Sequence, residues 1–270
     1  PYHTQATPTN EPFAPTDERE TAAAYTQARL LHQNFTDTAA RLTARSLLPA
    51  GQIGALWRGQ YETAAKNLDQ TLLDSPPLPD THYQYHSDGL TLHGSLTRLH
   101  RHGQIHLLDH RPNAPERTAL LLQHLIYNAV RPEEAADLRS HWIQPDHTDT
   151  LPPIPQQHAQ TLLDAWIAWW RTGQTQPLPY FPKTTLAAAE ALLKNSKKSD
   201  TERRRAAHKA AYTAYFANKA GTPQADYPEV AQVFGRNNTP PIDEDPFWLL
   251  AEHLAHLLAA TEQTEQTPPP

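Results

Sequence analysis

The residues best placed to do chemistry lie between Leu90 and Val130, LTLHGSLTRLHRHGQIHLLDHRPNAPERTALLLQHLIYNAV. Two runs rich in Leu, Ile, Thr and His flank Arg101-His102-Gly103, a hairpin signal. After a proline break, an apolar helical pattern runs from Thr118 to Val130. Alternate residues of a strand share a face, so Asp109 and Arg111 are expected to project together from the second strand, with Thr97 on its partner. Gln123 and Tyr127 stand one turn apart on one side of the helix. A single carboxylate beside a threonine hydroxyl is a poor seat for magnesium, a hard cation that prefers carboxylate oxygens. Phosphodiester hydrolysis needs such an ion to generate or orient hydroxide and to absorb the developing charge. Arg111 stays protonated and cannot act as a base, although it suits a carboxylate or a phosphate oxygen.

This layout resembles the PD-(D/E)XK nuclease core, in which one strand carries an acid, the next carries D/E-X-K, and a helix with Q-x3-Y follows in nucleases of recombination enzymes. On that resemblance Thr97 falls where the first acid belongs, Asp109 matches the second acid, and Arg111 replaces the lysine. Gln123 and Tyr127 match the helical pair. The implied fold is α/β: a small mixed or antiparallel sheet flanked by helices, a restriction-endonuclease-like core that has become catalytically degenerate. The rival reading is an active magnesium nuclease in which Asp109 is joined by another acid, such as Asp88 or Glu116. A third is a purely structural interaction module without DNA contact.

The elements that must position these residues can be read along the chain. The 270 residues suffice for one large domain or two small ones, and 26 prolines against 9 glycines give many rigid breaks. Residues 1–16 are Thr/Pro-rich and expected to be extended; Thr16 or Asp17 would cap a helix through DERETAAAYTQARLLHQNF. A short helical pattern follows at 36–48 and a third runs from Gln52 to Leu73, the latter with Ile53, Leu56, Trp57, Tyr61, Ala64, Ala65, Leu68 and Leu72 at helical spacing. Pro76-Pro77-Leu78-Pro79 stops the pattern, a strand begins at Thr81 to Tyr85, and Ser87-Asp88-Gly89 turns it into the central hairpin as a three-stranded meander. RPEEAADLRSHW is expected to hold a short helix and a strand, and LPPIPQQ a linker. Helices are expected at 156–172, from Thr184 or Thr185 to Lys194, and at 202–219, 227–234 and 245–262. The expected organisation is a helical lead-in at 1–75, an α/β core with C-terminal helices at 76–265 that forms one compact domain with it, and a disordered tail at 266–270.

Several unusual strings occur in order: NEPFAPTDERE, RSLLPAGQIGALW, LTLHGSL, LLLQHLIYNAV, PLPYFPKTTLAAAEALL and DEDPFWLLAEHL. Together they resemble the carboxy-terminal region of the RecC family, the gamma chain of exodeoxyribonuclease V. The resemblance implies a region similar to the nuclease domain of the RecB partner but without its catalytic residues. It implies RecB-like and RecD-like subunits and double- and single-stranded DNA as partners. The implied role is to split the duplex, guide the strands, scan for Chi and dock subunits in double-strand-break repair. Magnesium and ATP would serve the partner subunits, with no cofactor in this chain.

Charge and composition bound the remaining candidates. The net charge of −6 means that DNA contact must rest on a local patch. The densest basic stretch is Lys194, Lys197, Lys198, Arg203, Arg204 and Arg205, with Arg98, Arg101, Arg111 and Arg117 as a second candidate. The Trp166, Trp169, Trp170 stripe at helical spacing is expected to be core rather than a base-stacking surface; Tyr180 and Phe181 are better candidates for an exposed wedge, with packing the favoured reading there too. The sixteen histidines, including His82, His86, His93, His100, His102, His106 and His110 around the meander, show no zinc-site spacing. No P-loop is present. The absence of cysteine excludes disulfides and thiolate metal sites and suits a reducing cytoplasm, and no apolar run has the length of a membrane helix. Methionine is absent even at position 1, as expected of a segment of a longer chain or of a sequence that has lost its methionines.

Overall fold

A computed structural model describes residues 18–30, 33–66, 76–108, 110–133, 135, 137–144, 147–216, 223–234 and 241–262. The chain divides into two compact units. One comprises residues 1–75, 105–111 and 142–149, and the other 76–104, 112–141 and 150–270.

The first unit contains α1 (Glu18–Leu30), α2 (Phe35–Ala44) and α3 (Gly51–Lys66). The single long helix expected through Phe35 is interrupted, because Asn34 takes an extended backbone and its side chain accepts a hydrogen bond from the Thr36 amide (2.8 Å). An Asn N-cap satisfies a donor that would otherwise be orphaned, so it starts a new helix there. Tyr25 of α1 is fully buried between Phe35 and Tyr61, with ring centroids at 5.7 and 5.9 Å. Leu42, Leu48 and Ala65 complete this small core. Residues 1–16 with their cap, and Leu68 and Leu72, lie outside the described residues.

In the second unit the alternating sequence makes β1 (Thr81–Ser87) and β2 (Leu90–Leu96), an antiparallel ribbon. Asp88 and Gly89 both have positive φ, as a two-residue type I′ turn requires. The Tyr83 ring occupies the space a side chain at its partner Gly94 would need.

The run expected to form one long strand up to His100 breaks at Thr97-Arg98, where Arg98 takes φ +59°. β3 (Leu99–His100) and β4 (Gly103–Leu107) then join β5 (Ser140–Ile143) and β6 (Thr148–Leu151) in a separate sheet, ordered β3-β4-β5-β6. The three-stranded meander is thus replaced by a two-stranded ribbon and a four-stranded sheet. The sheet is mixed. β3 and β4 are antiparallel. The Gln104 and Leu108 amides donate to Arg139 and Ile143, an equal advance along both strands that makes β4 and β5 parallel. The parallel connection runs through α4 (Ala114–Val130), which the Asn113–Glu116 capping box starts.

Gly103 has φ +119°, and a Cβ there would stand 2.4 Å from the Arg139 carbonyl oxygen. Gly103→Ala is therefore expected to destabilise the protein by about 2 kcal/mol through backbone strain at the mouth of the β3–β4 turn. A urea midpoint equal to wild type would contradict this.

The remaining helices are α5 (Gln156–Gly173), α6 (Pro182–Lys194), α7 (Asp200–Phe216), α8 (Pro228–Phe234) and α9 (Asp245–Glu262). The expected 202–219 helix begins two residues earlier, and residues 217–219 lie outside the described residues, as does the tail. The fully buried Ala188, Ala189, Ala207 and Ala211 let α6 and α7 approach closely, and α9 packs on α6. The helix expected in RPEEAADLRSHW does not form among its described residues, where only β5 is regular, while β6 occupies polar sequence with no strand signal. Among the described residues no helix is long and apolar enough to cross a membrane.

Candidate functional site

Thr97 does not stand on a strand. It is exposed in the break between β2 and β3, and Gln104 Nε2 donates to its carbonyl at 3.0 Å. Asp109 lies outside the described residues. β4 ends at Leu107, so Arg111 lies in the exposed connection before α4 rather than on a strand shared with Asp109. Gln123 and Tyr127 also part company: Gln123 is exposed, whereas Tyr127 is fully buried. The Tyr127 hydroxyl donates to the Asp137 carbonyl at 2.6 Å, and burial, followed by the Asp137 carboxylate, pushes its pKa up to about 12. Tyr127 therefore fastens α4 to the chain entering β5, and its hydroxyl is committed there. Burial raises the Asp137 carboxyl, but side-chain and backbone hydrogen bonds from Arg139 outweigh it and hold the pKa below the usual value.

The acids that might have joined Asp109 are engaged elsewhere. Glu116 accepts from the Asn113 amide at 2.9 Å, and exposed Asp88 pairs with Arg171 at 3.0 Å. Among the described residues no three His, Asp or Glu side chains are arranged to hold a metal ion. His82 and His86 bond their cross-strand neighbours Ser95 and Thr91, at 2.7 and 3.0 Å.

The polar centre of this region is one residue further along α4 than the pair singled out by sequence. His124 and Asn128 are fully buried. His124 Nε2 lies 3.0 Å from the Pro152 carbonyl, which can only accept, so Nε2 carries the proton. Nδ1, at 2.7 Å from Ser140 Oγ, then accepts from that hydroxyl. Burial lowers the His124 pKa to about 4, against the opposing bond to Pro152, so the ring is neutral at pH 7. Asn128 Nδ2 donates to the His124 and Leu138 carbonyls, at 3.0 and 3.1 Å, and Oδ1 accepts from the Ile154 amide at 2.9 Å. One helix face thus ties together β5, the segment before it and the segment after β6. His141 has a similar place in β5: Nε2 donates to the His102 carbonyl (2.9 Å), and Nδ1 accepts from Thr150 (3.0 Å). Sequence reasoning missed His124 and Asn128, yet an i, i+4 polar pair inside LLLQHLIYNAV was the available signal.

Three of the basic candidates have ion-pair partners. Arg117 pairs with Glu190, Arg203 with Asp200 (3.1 Å) and Arg204 with Glu252 (3.1 Å). Arg98, Arg101, Arg111, Lys194, Lys197, Lys198 and Arg205 are exposed. Of the aromatics, Phe181 packs, the favoured reading: it is buried against Tyr215 and Phe234, with ring centroids at 5.2 Å. Tyr180 meets Trp166 edge-on at 6.1 Å, and Trp169 Nε1 donates to His253 at 2.6 Å. Trp170 departs from the expected core stripe, being 59% exposed.

Residues 1–193 match the family model described as RecC C-terminal domain. No curated protein gives a significant match to the chain.

Proposed function

We propose, for a chain that belongs to the RecC C-terminal domain family, that it acts as a non-catalytic, DNA-guiding and subunit-docking part of a RecBCD-type helicase–nuclease. Membership places it with the gamma chain of exodeoxyribonuclease V; the non-catalytic role, duplex splitting and Chi recognition are the finer reading. The observation that carries it is the chemistry at the nuclease-like positions. A neutral Thr97 in an exposed loop and a permanently charged Arg111 supply neither the second carboxylate nor the base that metal-assisted hydrolysis requires. The Tyr127 hydroxyl, spent on Asp137, is not offered to a substrate. On this reading the fold is a degenerate PD-(D/E)XK core. The mixed sheet with α4 beside it supports this reading, because a small mixed sheet flanked by helices is what the resemblance implies. RecB-like and RecD-like subunits would supply the magnesium and ATP chemistry.

The purified chain with magnesium and linear duplex DNA is expected to release no nucleotides, while supporting unwinding of forked DNA when assembled with RecB-like and RecD-like subunits. Magnesium-dependent cleavage by the chain alone, abolished by Asp109→Ala, would establish the nuclease rival instead.

A further inference from the structure

Helix α7 carries two large aromatic rings that the described residues leave about half exposed. Tyr212 is 50% exposed and Phe216 40%, and both lie outside the segment matched to the family. With His208 they recur every fourth residue, one above the next on the helix surface. Their rings form a continuous run: Tyr212 lies 4.7 Å from Phe216 and 6.3 Å from His208, which in turn stacks on Trp248 of α9 at 6.1 Å.

The cations of α7 fall into two groups. Arg203 and Arg204 are neutralised by Asp200 and Glu252. Arg205 and Lys209 are exposed, and neither lies within ion-pair distance of a carboxylate among the described residues. Helical spacing sets Arg205, Lys209, Tyr212 and Phe216 on one stripe, so unneutralised positive charge and exposed rings share a surface one side chain wide. Among the described residues the only carboxylate bonded to this ring run is Asp243, on His208 at 2.9 Å, which leaves the Tyr212–Phe216 end without a bonded carboxylate.

We propose that this stripe is a stacking platform for single-stranded DNA, with bases against Tyr212 and Phe216 and phosphates met by Arg205 and Lys209. Exposed rings that continue a line of unpaired cations along the helix fit a strand whose bases are free to stack and whose backbone is uniformly anionic. A paired duplex presents its phosphates but keeps its base faces covered, so the rings would go unused. The inference rests on the reading that this chain handles DNA, and deepens it by locating the single-strand contact.

The test uses the full chain, fluorescein-labelled oligothymidylate, a blunt duplex of equal length and forked DNA, with binding read by anisotropy across a salt series. Tyr212→Ala and Phe216→Ala are each expected to weaken oligothymidylate binding roughly tenfold with little effect on duplex binding. Arg205→Ala combined with Lys209→Ala should reduce the salt slope by about two phosphate contacts. Trp170→Ala, which changes another exposed ring, should leave binding unaltered, and circular dichroism should show every variant as helical as wild type. Photocrosslinking of 5-iodouracil-substituted strands should map to Tyr212 or Phe216. If wild type binds DNA while the stripe variants stay within twofold of it and no crosslink maps to α7, the platform is wrong and the DNA-handling reading stands. If wild type binds none of the three DNAs, both fail. Stripe variants that keep DNA binding but lose association with partner subunits would make the surface a protein contact and overturn the proposal.

Discussion

Replacing Asn128 with alanine should lower the free energy of unfolding by about 3 kcal/mol, the larger part from polar groups left without partners. The side chain is fully buried and makes three bonds, to the His124 and Leu138 carbonyls and from the Ile154 amide. The His124 carbonyl lies within α4 and keeps its helical environment. The other two groups belong to the segments before β5 and after β6, and Asn128 supplies both the donor and the acceptor they need. Stranding a buried amide or carbonyl costs about 1–3 kcal/mol, so two such groups and a small cavity reach the stated figure. Equilibrium urea unfolding gives the comparison; a variant within 1 kcal/mol of wild type would show that water or backbone movement replaces the side chain.

The second large effect is a loss of stability in mild acid that belongs to His124. Its ordinary pKa is 6.5, and burial lowers it to about 4 in the folded protein. Above pH 6.5 the ring is neutral in both states and stability is complete. As pH falls below 6.5 the unfolded chain takes up a proton that the folded chain refuses, so stability declines until pH reaches about 4, where both states are protonated. The difference of about 2.5 pH units corresponds to roughly 3 kcal/mol. His253, whose pKa is also lowered, by burial first and then by His256, contributes in the same direction. The decisive measurement is therefore the difference between wild type and His124→Gln: unfolding free energies from pH 7 to 4 should fall more steeply for wild type by roughly 3 kcal/mol. Parallel profiles would remove His124 from the acid response.

Much of this architecture was legible in the residues because its signals are local. DEDPFWLLAEHLAHLLAATE gives a helix at 245–262 as expected, and Asp88-Gly89 gives a tight turn because both positions must accept positive φ. What the sequence hid is non-local. Arg98 carries none of the glycine or asparagine chemistry that marks a left-handed residue, yet it separates β2 from β3 and displaces Thr97 from the expected strand. β6 is polar because its partner β5 and the His141–Thr150 bond define it, rather than alternation of its own. The candidate site shared this weakness. A two-residue spacing says what faces what only while the strand lasts, and β4 stops at Leu107, short of Arg111. On α4 the period was right and the phase was one residue out: the exposed Gln123 and the packed Tyr127 drew notice, while the adjacent His124 and Asn128 carry the bonding.

The break at Arg98 has a mechanical consequence. Because the ribbon and the four-stranded sheet are separate ladders, β1 and β2 can lift away without rupturing a rung of the sheet. Two side-chain clasps on α5 oppose this movement: Tyr85 to Asp164 at 2.8 Å and Arg171 to Asp88 at 3.0 Å. Partial denaturation should therefore peel the ribbon before it dissolves the sheet, exposing two unpaired strand rims while the four-stranded ladder keeps its rungs.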